Sequence, residues 1–341
     1  MLSFKITIKP SNRELVAESS ETILDAALRE GLALPNGCRN GTCGGCKGKV
    51  LEGSVDHGSY SPQALSEADL VAGMTLFCCA KPLSDVTIET RAIGATKNIV
   101  VKIMPCRVEK IDKPVPDVAI LWLKLPAGER LQFLAGQYIE ILLKDGKRRA
   151  FSLANAPHEE AFLQLHVRHV PGGAFTDILF GGMQEKAILR FEGPHGTFFL
   201  HEDSDKPMVL MATGTGFAPL KAILEHAFHS GLQRPMTLYW GARTPGDLYL
   251  LDLPRQWERQ YANFKFVPVI SDPQPDDGWQ GRSGYVTHAV LDDFADLSGV
   301  QVYASGAPAM VMAARALFVE QRGLPQEAFF SDAFVFAGSA K

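Results

Sequence analysis

The spacing of four cysteines constrains this chain more than any other feature of its sequence. Cys38, Cys43 and Cys46 follow a C-x₄-C-x₂-C pattern, and Cys78 lies further along the chain. This spacing is typical of chains whose thiolates hold a [2Fe-2S] cluster. The first three cysteines belong to the glycine-rich segment GCRNGTCGGCKG, where small residues let backbone amides approach the cluster sulfurs. We therefore predict an iron-sulfur site with these four cysteines as ligands.

A disulfide or a zinc loop is the alternative to the iron-sulfur site. Zinc sites usually pair two short C-x-x-C segments, whereas this chain has three clustered cysteines and a distant one, so the cluster is favoured. Cys79 is adjacent to the predicted fourth ligand, and the choice between the two stays open. If Cys78 binds from an extended segment, Cys79 faces away from the cluster and is a small buried hydrophobe. Cys106 lies outside the pattern and is predicted to be an inert core residue.

Length and charge narrow the class of protein. The 341 residues are enough for two or three domains. The 34 lysines and arginines are balanced by 38 acidic residues, so we expect neither a nucleic acid nor a membrane as a partner. The N-terminal segment MLSFKITIKP alternates like a strand and lacks the layout of a signal peptide, and no apolar run is long enough to span a bilayer. A cytoplasmic location is expected, because a reduced cluster needs a reducing compartment.

Hydrophobic periodicity divides the chain into three predicted domains. Residues 1–93 have strand-like segments around one helical segment, TILDAALREGL. A linker is predicted at 94–102. Residues 103–203 contain strands such as VAILWLKL and LQLHVRHV separated by Pro and Gly turns, which predicts an antiparallel barrel. In residues 204–341, apolar strands alternate with helices, which predicts a parallel sheet.

Two motifs in the predicted barrel are candidate binding segments. Arg149, Phe151, Ser152 and Leu153 belong to an R-x-F-S-L segment after a predicted strand. The second motif follows the next strand, and its glycines, amides and threonine hydroxyl suit a phosphate. Its residues are His166, Arg168, Gly172, Gly173, Phe175 and Thr176. A simple turn before a helix, with Thr176 as the N-cap, is the alternative for GGAFT.

A glycine-rich turn opens the first helix of the third predicted domain. In GTGFAP, glycines lie between a buried strand and a helix N-terminus, where a pyrophosphate can bind. Pro219 stands where the third glycine of the dinucleotide fingerprint is expected. The predicted binding residues are Thr213, Gly214, Thr215, Gly216 and Pro219. GTGFAP resembles the nicotinamide-binding turn of ferredoxin-NAD(P)H reductases, and this resemblance implies that Arg243 or Asp247, in the loop after the next strand, lies near the adenosine ribose. With only one basic residue in that loop, we expect NADH, with NADPH as the alternative.

Two further segments complete the pattern at the end of the chain. The last strand ends in YASGAP, with Ser305, Gly306 and Pro308, and the segment FSDAF ends at Phe334. Together with the cysteine, R-x-F-S and GTGFAP motifs, these segments resemble the ferredoxin-NAD(P)H reductase superfamily. The resemblance covers nearly the whole chain, and it extends to the reductase components of ring-hydroxylating oxygenases, of phenol and methane monooxygenases and of sugar dehydratases.

The resemblance implies a role for each motif. Arg149 pairs with the FAD pyrophosphate, Phe151 covers the isoalloxazine ring and the Ser152 hydroxyl reaches toward flavin N5. Ser305 stands beside nicotinamide C4, where relatives usually have cysteine. Phe334 shields the flavin until nicotinamide displaces it, although an apolar tail packed on the core is the alternative. Cys78 is preferred over Cys79 because it matches the ligand position of related ferredoxins.

The implied fold has a β-grasp ferredoxin, a six-stranded antiparallel β-barrel for FAD and an α/β parallel-sheet nicotinamide domain. The implied function is electron transfer from NADH through FAD and the [2Fe-2S] cluster to a partner protein, which is an oxygenase, monooxygenase or sugar dehydratase component. A redox-sensing module and a reductase of free flavin or quinones are the alternatives.

Overall fold

The computed structural model describes residues 2–30, 32, 34–90 and 99–334. These residues divide into two compact units. The first unit runs from the N-terminus to Ile99 and includes Gly196–Phe198, and the second comprises Val100–His195 and Phe199–Phe334. Residues 94–98 of the predicted linker lie outside the described part of the chain.

The first unit is a five-stranded mixed sheet with two short helices. In chain order the elements are β1 (Ser3–Lys9), β2 (Arg13–Glu18), α1 (Ile23–Arg29), β3 (Lys47–Glu52), β4 (Val55–Asp56), α2 (Glu67–Val71), β5 (Met74–Leu76), β6 (Lys81–Pro82) and β7 (Val86–Glu89). The strand order is β2-β1-β7-β3-β5, and β4 pairs separately with β6. Helix α1 confirms the predicted helical segment. The Thr22 side chain caps the helix by accepting a hydrogen bond from the Asp25 amide, and the apolar face of the helix is buried.

The second unit contains a six-stranded antiparallel sheet. Its elements are β8 (Lys102–Val115), β9 (Val118–Lys124), β10 (Tyr138–Leu142), β11 (Arg148–Ser152), β12 (Leu163–Arg168), α3 (Thr176–Phe180) and β13 (Ile188–His195). The strand order is β11-β10-β13-β8-β9-β12. An antiparallel bridge between Leu153 and Leu165 joins the chain just after β11 to β12, at the opposite edge of the sheet.

The second unit also contains the predicted parallel sheet, which the strand-helix alternation indicated correctly. Its elements are β14 (Met208–Thr213), α4 (Phe217–His229), β15 (Met236–Ala242), α5 (Asp252–Gln260), β16 (Phe264–Ile270), β17 (Arg282–Ser283), α6 (Val286–Asp293), β18 (Gln301–Gly306), α7 (Pro308–Arg322) and β19 (Phe329–Ala333). The order is β17-β16-β15-β14-β18-β19, with every pair parallel. Strand order reverses between β14 and β18, and such sheets bind ligands at the carboxyl ends of the strands at this point.

No helix among the described residues is both long and apolar enough to cross a membrane.

Candidate functional site

The four predicted ligand thiols of the first unit lie together in two pairs. The Cys46 and Cys78 sulfurs are 3.2 Å apart. The Cys38 amide donates to Cys43 Sγ at 3.3 Å, and a hydrogen bond with the Cys43 thiol lowers the pKa of Cys38 to about 6. Two thiol pairs are the ligand arrangement that two iron ions require, so these residues fit a [2Fe-2S] cluster.

The loop around the first pair provides hydrogen-bond donors to sulfur. The Gly45 amide donates to Cys43 Sγ at 3.4 Å, and the Thr42 hydroxyl donates to Cys38 Sγ at 3.4 Å. The backbone can turn its amides inward because Gly41 and Gly44 have φ of 78° and 70°, a conformation that glycine adopts without strain. Such donors stabilise anionic cluster sulfurs.

Cys79 differs from the sequence prediction. Its sulfur lies 3.6 Å from Cys78 Sγ, and the residue is half-buried, whereas the prediction placed it on the opposite face as a buried hydrophobe. The alternation argument assumed a strand, but Phe77, Cys78 and Cys79 form a turn, in which successive side chains do not alternate. Cys106 is buried in β8 as predicted, and burial raises the pKa of its thiol to about 12.

The R-x-F-S motif forms the end of β11. Arg149 is half-buried, and its Nη1 donates to the Arg148 carbonyl at 2.8 Å. The half-buried Phe151 ring packs against Phe175 of the GGAFT segment, with 5.1 Å between ring centroids. The two predicted flavin motifs are therefore in contact. Leu153, just beyond the strand, is fully buried.

The second flavin motif brings Arg168 to the nicotinamide turn. Its Nη1 donates to Asp117 at 2.8 Å, but its buried Nε and Nη2 have no partner among the described residues. A Cβ on Gly214 would lie 3.6 Å from this Nη2. Buried unpaired guanidinium donors beside a glycine turn suit an anionic oxygen.

His166 is fully buried with its Nδ1 2.8 Å from the Tyr249 hydroxyl, and burial lowers its pKa well below the usual value.

Thr176 closes the GGAFT loop. Its hydroxyl donates to the Val170 carbonyl at 2.8 Å, and a Cβ on Gly173 would lie 2.4 Å from that hydroxyl, so the loop requires glycine there. Gly172 has φ of 79°. Helix α3 begins at Thr176 with Phe175 at the N-cap position, so the alternative of Thr176 as the N-cap is wrong. The role of Thr176 in phosphate binding stays a prediction.

The two nicotinamide motifs interlock at the carboxyl ends of β14 and β18. A Cβ on Gly216 would lie 2.3 Å from the Ser305 carbonyl oxygen, and one on Gly306 would lie 2.5 Å from Thr213 Oγ1. The Thr213 hydroxyl also accepts a hydrogen bond from the Ala307 amide at 3.0 Å. The remaining residues of the two motifs lie in the adjoining elements: Thr215 in the 3₁₀ turn Gly214–Gly216, Pro219 in the first turn of α4 and Pro308 at the start of α7.

Three motifs converge on the C-terminal strand. The Ser152 hydroxyl of the flavin motif donates to Asp332 Oδ2 at 2.8 Å, and Asp332 pairs in register with Ser305 on β18. Ser305 is 0% exposed, and its hydroxyl has no partner among the described residues. The Phe334 amide donates to the Gly306 carbonyl at 2.8 Å. Asp332 contacts the predicted flavin motif, and the sequence prediction did not single it out, although it lies inside the FSDAF segment.

The loop after β15 is exposed. The Arg243 side chain is 81% exposed, and its Nη2 is 3.9 Å from an Asp272 carboxylate oxygen. The Asp247 carboxylate accepts hydrogen bonds from the amide and hydroxyl of Thr244, so it caps a local 3₁₀ turn. Of the two residues predicted to lie near a ribose, Asp247 is therefore engaged in local hydrogen bonds, whereas the Arg243 side chain is mostly exposed to solvent.

Comparison with protein families assigns one domain to each part of the chain. Residues 6–83 match the 2Fe-2S iron-sulfur cluster binding domain. Residues 105–200 match the oxidoreductase FAD-binding domain, and residues 210–316 match the oxidoreductase NAD-binding domain. The cofactors of this chain are therefore a [2Fe-2S] cluster, FAD and a nicotinamide nucleotide.

Similar proteins match along their whole length. The CDP-6-deoxy-L-threo-D-glycero-4-hexulose-3-dehydrase reductase of Yersinia pseudotuberculosis is 40% identical over 98% of this chain and 99% of its own. The terephthalate 1,2-dioxygenase reductase component 2 of Comamonas sp. is 34% identical over 98% of each chain. Among solved structures, the Amycolatopsis cytochrome P450 reductase GcoB has 35% identity and a TM-score of 0.77, covering 97% of this chain and 98% of its own. The chain therefore belongs to the ferredoxin reductase family of oxidoreductases, with an N-terminal [2Fe-2S] domain followed by FAD-binding and NAD-binding domains.

Proposed function

We propose that this chain takes electrons from NADH and passes them through FAD and the [2Fe-2S] cluster to a partner protein in the cytoplasm. The observation that carries the proposal is the meeting of Ser152, Ser305 and Asp332, which joins a flavin motif to a nicotinamide motif. The relatives serve a dehydrase, dioxygenases and other oxygenases, so the proposed partner is an oxygenase, monooxygenase or sugar dehydratase component.

We also propose boundaries and folds for the individual domains. We assign residues 1–93 to a β-grasp ferredoxin domain, 94–102 to a linker, 103–203 to an FAD-binding β-barrel and 204–341 to the nicotinamide domain. The Leu153–Leu165 bridge supports a closed barrel, because it links the two edges of the six-stranded sheet.

When bound, NADH supplies a hydride, FAD accepts it and releases single electrons, and the cluster carries one electron at a time. The residues around these groups orient them. Asp332 fixes the Ser152 hydroxyl at 2.8 Å, and the backbone of Phe334 is tied to Gly306. A hydroxyl held in one orientation at the reacting ring costs no reorganisation during the reaction.

Charged donors are proposed to hold the nucleotide phosphates. Arg149 and Arg168 provide guanidinium groups beside the flavin motifs, and the buried unpaired donors of Arg168 support this role. Cys38, Cys43, Cys46 and Cys78 are the proposed cluster ligands. The glycines of the 3₁₀ turn after β14 are proposed to let the nicotinamide nucleotide approach the backbone.

We expect Arg149→Ala to weaken FAD binding by roughly tenfold to a hundredfold, because a hydrogen bond to a charged group contributes about 1.5–3 kcal/mol. Equilibrium dialysis or fluorescence titration with FAD measures this change. Arg148→Ala is the matched control, because its guanidinium is already engaged by Glu140 and Glu192 at 3.2 and 2.8 Å. Equal FAD affinity in the Arg149 variant and the parent would remove Arg149 from the pyrophosphate site.

Rapid anaerobic mixing with NADH tests the proposed function. The flavin absorbance is expected to bleach first, and the cluster absorbance is expected to fall afterwards, followed by reduction of an added purified partner component. A cluster that stays oxidised while the flavin turns over would identify a free flavin or quinone reductase instead.

The same measurement with NADPH tests nucleotide choice. We expect faster flavin reduction with NADH, because Arg243 is the one basic residue in residues 243–247 and it lies near Asp272, whose charge repels a 2′-phosphate. Faster reduction with NADPH would contradict this part of the proposal.

A further inference from the structure

Five thiols, rather than four, lie together at the iron-sulfur loop. Cys79 Sγ is 3.6 Å from Cys78 Sγ, which is close to the 3.2 Å between the paired Cys46 and Cys78 sulfurs. A fifth sulfur is therefore next to the position that the fourth ligand occupies.

The local backbone holds the Cys79 sulfur against the ligand loop. The Cys79 amide donates to the Leu76 carbonyl at 2.9 Å, which fixes the turn. A Cβ on Gly41 would lie 2.8 Å from Cys79 Sγ, so the absence of a side chain at Gly41 makes room for this sulfur beside the loop. Cys79 is thus packed between its own turn and the segment that holds Cys38 and Cys43.

We propose that Cys79 is a reserve ligand of the [2Fe-2S] cluster, which binds iron when Cys78 cannot. The inference rests on the ligand set proposed above. Because the two cysteines are adjacent in a turn, a change of side-chain rotamer with a small backbone adjustment brings Cys79 to the iron. The iron forms a bond to the Cys79 sulfur in place of the bond to Cys78, and the Cys79 thiol releases its proton to water. No electron is transferred in this step.

Four variants of the full chain test the reserve ligand: Cys78→Ala, Cys79→Ala, the double variant and Cys46→Ala. Alanine is used because a serine oxygen could itself bind iron. The measurements are iron and acid-labile sulfide per chain, the visible spectrum and the EPR spectrum of the reduced protein. FAD content reports separately whether the chain has folded.

The Cys79 variant is expected to keep the cluster with nearly the parent spectrum. The Cys78 variant is expected to keep an iron content within about twofold of the parent and to show a shifted EPR signal. In the double variant and in Cys46→Ala, the iron content per chain is expected to fall by at least about tenfold. The Cys46 variant tests the ligand set, and the Cys78 variant tests the reserve ligand, so the two proposals can fail separately.

Three results would overturn the reserve role. One is loss of the cluster in Cys78→Ala to the level of Cys46→Ala while FAD is retained. Another is a cluster that persists in the double variant, which would mean that a different group binds the iron. The third is loss of the cluster in Cys79→Ala, which would make Cys79 the primary ligand.

Discussion

Replacing Cys43 with alanine is expected to reduce NADH-dependent cytochrome c reduction to background and to leave NADH-dependent ferricyanide reduction close to that of the parent. Cys43 Sγ accepts amide hydrogen bonds from Cys38 and Gly45, so its removal deletes a proposed iron ligand and leaves these two amide donors without their acceptor. Ferricyanide takes electrons directly from a reduced flavin, whereas cytochrome c is expected to need the cluster. Steady-state absorbance assays with both acceptors measure the separation.

Cys106→Ala is the matched control for this prediction, since Cys106 is buried in β8 and outside the ligand set. It should retain both activities. If the Cys43 variant still reduced cytochrome c at the parent rate, the cluster would not be the exit for electrons.

Ser152→Ala is expected to slow flavin reduction by NADH by about a hundredfold, the effect of removing one preorganised hydrogen-bonding group from a reacting centre. Because the Ser152 proton is donated to Asp332, the group lost toward the flavin is the hydroxyl oxygen as an acceptor. The variant removes the hydroxyl that Asp332 orients at 2.8 Å but leaves Arg149 and Phe151 in place, so FAD content should be unchanged. Anaerobic stopped-flow spectroscopy at several NADH concentrations separates the rate of flavin reduction from NADH affinity.

The control for Ser152 is Ser331→Ala, which removes a hydroxyl from the neighbouring residue of Asp332 on β19. The Ser331 hydroxyl accepts a hydrogen bond from Arg315 at 3.3 Å, so its removal alters the same strand without deleting the Ser152–Asp332 hydrogen bond. Similar slowing in both variants would indicate a general disturbance of β19, and an unchanged rate in Ser152→Ala would mean that its hydroxyl is remote from flavin N5.

Local sequence patterns predicted the elements that depend on local chemistry. Helix α1 followed from apolar spacing, and the parallel sheet followed from strand-helix alternation. The cysteine spacing predicted the thiol cluster because ligand spacing is a direct requirement of the cluster. The residues that decide α1 and each element of the parallel sheet are close together in the chain, whereas Cys78 lies 32 residues after Cys46 and was predicted from the ligand pattern alone.

The sequence could not predict features that arise only from tertiary packing. The Ser152–Asp332 hydrogen bond joins residues 180 positions apart, and neither residue has a local pattern that indicates the other. Arg168 was assigned to the flavin motif, but its approach to Gly214 depends on how β12 packs against the turn after β14. The predicted position of Cys79 was wrong because this residue lies in a turn, whereas the prediction assumed a strand.

The close contact between Gly216 and the Ser305 carbonyl limits how this reductase can change its nucleotide preference. Any side chain at position 216 would push the turn away from the end of β18, so substitutions at this end of the proposed nicotinamide site are restricted. The exposed loop around Arg243 has no such restriction. Adaptation to a different dinucleotide can therefore proceed at the proposed adenosine end, one surface residue at a time, while the proposed geometry for hydride transfer is preserved.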